Sequence, residues 1–125
     1  MPRERVYHGE SCKGVVTTNF FVDGKTVEAY FSDGDISSSF VKYHAEENDG
    51  EYKLVETEDL STPLDGSWGK NPNKIKTHKL KAATEEEAIA AMIDIIVGPY
   101  EKPRPHSMPV DAAELRSGLE KALLQ

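Results

Sequence analysis

A chain of 125 residues with 38% hydrophobic residues is long enough to form one core and too apolar to be disordered. The formal charge of -7 at pH 7 repels nucleic-acid phosphates, so direct nucleic-acid binding is disfavoured. No apolar stretch is long enough to span a membrane, and the single cysteine, Cys12, excludes an internal disulfide. We therefore expect one soluble, cytoplasmic domain over residues 1–125.

Asp-Gly pairs separate the β-rich runs that follow an N-terminal segment, 1–13. Four runs result: 15–22, 25–32, 36–46 and 51–58. Asp-Gly between strands favours a type I′ hairpin, in which both residues take positive φ. We expect positive φ at Gly24 and Gly34, and an uncertain register or a bulge in the run at 51–58, where alternation breaks down.

Two-residue loops at Asp23-Gly24 and Asp33-Gly34 would place one set of apolar side chains on a common buried face. The set is Val16, Phe20, Val27, Phe31, Ile36 and Phe40. The opposite face is mixed, and apolar area remains there at Val15, Phe21, Tyr30 and Val41. We expect that face, or a sheet edge, to offer a surface for a partner or for a homodimer.

The C-terminal half predicts a fifth strand and two helices. Residues 59–73 are rich in turn formers and indicate a long loop, before a lysine-rich edge strand at 74–81. A capping box, Thr84 with Glu87, predicts a helix over 85–97 that ends at Gly98-Pro99. A second helix is expected over 110–124, after a proline-rich linker at 98–109. Apolar stripes mark the buried helix faces: Ile89, Met92, Ile93 and Ile96, then Leu115, Leu119 and Leu123.

The predicted fold class is therefore α+β, with an antiparallel meander of four to five strands packed by C-terminal helices. This order of elements resembles that of single-stranded DNA-binding folds of the Whirly type. The resemblance makes single-stranded nucleic-acid binding a third interpretation of function, against which the acidic charge argues.

Charge is segregated along the chain. Glu46, Glu47 and Asp49 lie in an acidic hairpin, whereas Lys74 and Lys76 belong to a lysine strip. An acidic surface suits a basic or nucleic-acid-associated protein, and lysines suit an anion. The single tryptophan, Trp68, lies in the long loop, where it either caps the core or anchors a partner.

Catalytic and metal chemistry have weak support in the sequence. Cys12 with His8 lacks a third orienting group, and the histidines do not form paired ligand spacings. We predict no catalytic residue, no metal and no cofactor.

The sequence favours a non-enzymatic acidic binding protein, such as an inhibitor or adaptor, that engages a macromolecule. Its candidate contacts are Phe21, Tyr30, Glu46, Glu47, Asp49, Trp68, Lys74 and Lys76. The alternative is a pocket protein for a small anionic ligand or nucleotide, with lysines and Tyr30 or Tyr43 at the mouth.

Overall fold

The computed structural model describes residues 3–11, 16–33, 37–61, 74–101 and 110–124. Six antiparallel strands form one sheet whose spatial order equals their order in the chain. The strands are β1 (Glu4–Ser11), β2 (Val16–Asp23), β3 (Thr26–Asp33), β4 (Ser37–Asn48), β5 (Glu51–Ser61) and β6 (Lys74–Leu80). Two helices follow, α1 (Glu85–Glu101) and α2 (Ala112–Leu124). The predicted α+β meander is confirmed, with one strand more than expected.

The additional strand is β1, in the N-terminal segment. It pairs with β2, and its register shifts between Arg5 and Tyr7, so Val6 forms an irregularity in the ladder. Such a bulge breaks the alternation by which a strand is recognised in a sequence. This explains why no strand was predicted in 1–13.

Both helices pack on one side of the sheet, which we call the inner face; the other side is the outer face. Helix α1 contacts β4, β5 and β6, and α2 contacts β1 and β2. The predicted apolar stripes of both helices are buried. They cover sheet residues that include Phe20, Val27 and Leu54, each 0% exposed.

The β2–β3 hairpin has a different register from the predicted one. Val22 pairs with Val27, a shift of two residues, and an even shift leaves each side chain on its predicted face. Gly24 has a φ of 65°, as predicted, but Lys25, the other loop residue, does not have positive φ. Glycine alone at the first loop position is typical of a type II′ turn, so the predicted type I′ turn is wrong here.

The β3–β4 pairing corrects the predicted common face. Tyr30 pairs with Phe40, which places Phe40 on the outer face, and Ala29 pairs with Val41. The last pair of the two strands is Asp33 with Ser37, so three residues separate the strands where two were predicted. Val27 consequently pairs with Tyr43 instead of Phe40, and this shift of three residues, an odd number, moves the β4 side chains to the other face. Val41 and Tyr43 take the buried positions instead, at 9% and 8% exposure. Gly34, Ile36 and Val15 lie outside the described residues.

The β4–β5 hairpin has the predicted type I′ geometry. Asp49 and Gly50 have φ values of 54° and 81°, and Asn48 pairs with Glu51. The register is continuous, so no bulge occurs in β5. Strand β5 extends to Ser61, into the segment predicted as a loop; residues 62–73 lie outside the described part.

Helix α1 starts as predicted and ends later. The Thr84 hydroxyl accepts the amide proton of Glu87 at 3.2 Å, which confirms the cap. Pro99 lies inside the last turn, where its fixed φ is helical. Tyr100 packs edge-on against Phe20 at 6.2 Å between ring centroids, and this contact stabilises the added turn.

Helix α2 approaches β1 closely. Asp111 caps it by accepting the Glu114 amide proton at 3.2 Å, and the Tyr7 hydroxyl accepts the Asp111 amide proton at 2.7 Å. A Cβ atom at Gly118 would lie 2.5 Å from the carbonyl oxygen of Val6. Gly118 costs about 1 kcal/mol of helix propensity, but it allows this approach. Within the described ranges, neither helix is long and apolar enough to cross a lipid bilayer.

Candidate binding surfaces

Three aromatic side chains form a row across the outer face, one each on β2, β3 and β4. The Phe21 and Tyr30 rings meet edge-on at 5.5 Å, and Tyr30 and Phe40 are tilted at 4.8 Å. All three side chains are half-buried, although both helices of the described ranges pack on the inner face. We call Phe21, Tyr30 and Phe40 the aromatic row; the sequence predicted the first two as candidate contacts.

Arg3 lies across the aromatic row. Its guanidinium carbon is 3.9 Å from the centroid of Phe21 and 5.1 Å from that of Tyr30, within cation–π range. Its Nε is 2.8 Å from Glu28 Oε1, and the Glu28 side chain is only 16% exposed. The charge of Arg3 is therefore matched inside the chain by a carboxylate and two ring faces.

The tip of the β4–β5 hairpin extends beyond its neighbours. Pairing with β3 ends at His44, and pairing with β6 ends at Tyr52. All residues from 46 to 51 are exposed, including the predicted contacts Glu46, Glu47 and Asp49. The structure thus presents these three carboxylates together on one projecting turn.

The first turn of α1 adds carboxylates beside this tip. Glu47 and Glu85 line one cavity together with Tyr52. Partial burial raises the pKa of Tyr52, and the negative charges of Glu47 and Glu85 raise it further. We define the acidic end as residues 46–51 with residues 85–87. The proximity of Glu85 to the hairpin was not predicted from the sequence.

Most carboxylates of the acidic end lack a basic partner. Glu46 contacts His44 at 2.9 Å, and Glu87 accepts the capping bond from the amide of Ala83. For five others no lysine or arginine lies within salt-bridge distance among the described residues: Glu47, Asp49, Glu51, Glu85 and Glu86. The acidic end therefore carries negative charge that the described part of the chain does not neutralise.

A groove runs along the acidic end between the hairpin, α1 and α2. It consists of two cavities of about 450 Å³ and 200 Å³ that share Lys25, Glu85 and Ile89. The remaining lining residues are Ala45, Glu47 and Tyr52 on the hairpin side, and Glu86, Leu123 and Leu124 on the helix side. Lys25 donates to the carbonyl oxygen of Leu123 at 3.3 Å, at the end of α2.

The sequence offered Tyr30 or Tyr43 as the tyrosine beside the lysine strip, and the register places Lys76 on the same face as Tyr43, because both residues pair with Glu56. Lys76 is exposed on the edge strand β6, and Lys74 pairs with Glu58 in the same ladder. Tyr30 lies on the outer face and Tyr43 on the inner face. Of the two alternatives, Tyr43 therefore shares a face with Lys76 and Tyr30 does not.

A polar cluster on the inner face was not predicted. Burial raises the pKa of Tyr43, with further contributions from Tyr100 and the carboxylates Glu56 and Glu58. Burial, followed by Glu56, raises the pKa of Tyr100 to about 12. His78 Nε2 lies 4.0 Å from Glu56 Oε1. Burial thus disfavours the ionised form of both phenols and leaves them as hydrogen-bond donors.

Of the groups considered for catalysis, His8 lies on β1. His8 contacts Asn19 Oδ1 at 2.6 Å and Glu10 Oε2 at 3.3 Å, so both ring nitrogens have neighbours. No group of three metal-ligating side chains occurs in the described ranges. Cys12 and Trp68 lie outside them.

Comparison of this chain with protein-family models, curated proteins and solved structures finds no match.

Proposed function

We propose that this chain is a non-enzymatic binding protein that engages a basic protein through its acidic end. The observation that supports this proposal is the set of exposed, unpaired carboxylates that two separate elements bring together. Like charges held at one end repel one another and lower the free energy of unfolding. A basic partner relieves that repulsion, and complementary potentials accelerate its association.

The alternative ligand classes fit these surfaces less well. A small anion would meet Glu47, Glu85 and Glu86 in the groove, or Glu56 in the inner polar cluster. Single-stranded nucleic acid stacks on exposed aromatic rings and needs positive charge along its path. Here Arg3 already covers two rings of the aromatic row and is ion-paired. The single cysteine, Cys12, is the reason that we propose the cytoplasm as the compartment.

The test begins with co-purification on the tagged chain, followed by association kinetics with the protein identified. We expect the triple variant Glu46→Lys, Glu47→Lys, Asp49→Lys to associate at least about tenfold more slowly at low salt, because exposed charges steer the encounter. Circular dichroism checks that the fold is intact.

The matched control reverses three exposed glutamates elsewhere: Glu4, Glu10 and Glu114. It changes the net charge by the same amount and should leave association within about threefold of wild type if the location of the charge matters. The proposal would be contradicted if both variants slowed association equally, or if neither variant slowed association. A faster dissociation in Trp68→Ala alone would instead move the contact to the predicted loop.

A further inference from the structure

We infer that the groove at the acidic end anchors one large apolar side chain from a basic segment of the partner protein. This inference rests on the proposed function and adds the binding position and the pattern of the bound segment. The groove is lined by the β4–β5 hairpin, α1, α2 and Lys25 of the β2–β3 turn, and it combines an apolar floor with an acidic rim.

The floor of the groove is apolar. Ile89 and Leu123 are each 3% exposed and form its base. Leu124, Ala45 and Tyr52 are half-buried on its walls, so part of their apolar surface still contacts water. An apolar side chain placed between them removes this surface from water, which is favourable.

The rim is acidic on both sides. Glu47 contributes from the hairpin, and Glu85 and Glu86 contribute from α1, against one ammonium group, Lys25. A lysine or arginine next to the anchoring side chain would meet a carboxylate in either direction along the groove. A basic segment with one central apolar residue therefore matches both the floor and the rim.

The size and shape of the groove favour a side chain of a larger partner over a free small molecule. Its larger cavity, about 450 Å³, lies in the lower part of the range for ligand pockets, roughly 300–1,000 Å³. It is closer to an open surface than to an enclosed cavity, whereas pockets for small molecules bury most of the ligand surface. A segment attached to a larger partner gains further contacts outside the groove.

The test uses a synthetic peptide in which lysines flank one central leucine. Two controls carry serine in place of the leucine, or glutamates in place of the lysines. Burial of a leucine side chain predicts that the leucine peptide binds at least about tenfold more tightly than the serine peptide. The glutamate peptide should not bind. Titration followed by amide chemical shifts gives the affinities and locates the contact at Ala45, Tyr52, Ile89 and Leu124.

Variants of the groove give effects of opposite sign. Glu86→Gln removes a rim carboxylate and should weaken binding of the leucine peptide about two- to threefold, whereas Lys25→Gln removes the one cation and should strengthen it similarly. Leu124→Ala should weaken the leucine peptide and leave the serine peptide unchanged. Ile75→Ala, an exposed apolar residue on β6, is the matched control for Leu124 and should change neither.

The outcomes separate this inference from the proposed function. Equal affinities of the leucine and serine peptides, with loss of both in the hairpin reversal, would overturn the anchoring role and leave the acidic end as a purely electrostatic contact. Absence of binding by all three peptides would also overturn the anchoring role, and the partner kinetics would then decide the proposed function separately. Self-association of the chain in sedimentation that Leu124→Ala abolishes would assign the groove to a second copy and overturn the inference.

Discussion

The aromatic row and the acidic end both lie at the surface of the protein. The charged group of the aromatic row is paired within the chain, whereas most charged groups of the acidic end have no basic partner among the described residues. In the aromatic row the cation Arg3 has a carboxylate, Glu28, at 2.8 Å and two aromatic rings beneath it. At the acidic end, Glu47 and Glu85 face one another across a groove with no arginine or lysine in salt-bridge distance among the described residues.

This difference distinguishes a surface that stabilises the fold from one that is available to a partner. Groups that are already paired lose those contacts when a partner binds, so the net gain is small. Unpaired carboxylates in water have no such contacts to lose. Exposed aromatic residues, which are often interpreted as binding sites, are therefore the less favourable candidates in this chain.

The largest effect that we predict concerns the aromatic row. Tyr30 lies at its centre, so Tyr30→Ala removes two ring contacts, with Phe21 and Phe40, and the cation–π contact with Arg3. We expect a loss of roughly 2–3 kcal/mol in the free energy of unfolding, measured by urea denaturation. Ile75→Ala, at a side chain 67% exposed, should change it by less than about 0.5 kcal/mol. Equal, small losses in both variants would mean that the aromatic row does not stabilise the fold. The distinction between the aromatic row and the acidic end would then be wrong.

A smaller effect is expected when the cation over the row is replaced. Arg3→Met keeps a long side chain over the rings but leaves Glu28 without its partner. We expect a loss of about 1 kcal/mol, from one cation–π contact and one partly exposed ion pair. Arg3→Lys should retain less than half of this contribution, because an ammonium lacks the planar guanidinium that stacks on Phe21 while its Nε lies 2.8 Å from Glu28. Full stability in both variants would contradict internal charge matching at this surface.

The smallest effect, with the opposite sign, is predicted at the acidic end. The triple variant Glu47→Gln, Asp49→Asn, Glu51→Gln should be more stable than wild type by roughly 0.3–1 kcal/mol at low salt, because it removes repulsion between like charges. The gain should disappear near 1 M salt, where the Debye length is roughly 3 Å. Urea denaturation at both salt concentrations measures it. A loss of stability at low salt would show that these carboxylates have stabilising partners.

The sequence was informative where local chemistry determines the structure. The capping box at Thr84, the positive φ at Gly24 and the type I′ turn at Asp49-Gly50 depend on neighbouring residues only, and all three are confirmed. Register depends on loop length, which Asp33-Gly34 alone does not determine. With one residue more between the strands than expected, Phe40 and Val41 exchange faces.

The candidate surfaces were predictable to a similar degree. Glu46, Glu47 and Asp49 are close in sequence and share a turn, so their proximity followed from the hairpin. The approach of Glu85 to Glu47 depends on how α1 crosses the sheet, and a charge pattern in one sequence does not contain that angle. Likewise, Arg3 reaches Phe21 only because β1 pairs with β2, a strand that its bulge concealed.

The close contact between Gly118 and Val6 has a consequence for the order in which the chain folds. The hairpins of the meander pair neighbouring strands, but Tyr7 and Asp111, which meet at 2.7 Å near the same contact, are 104 residues apart. Contacts of such high sequence separation form late and slow the folding of a domain. During synthesis β1 lacks its helical cover until α2 has left the ribosome. Helix α2, which is made after the meander, therefore closes the side of the core at β1, and the apolar surface exposed in the meantime is open to association with other chains.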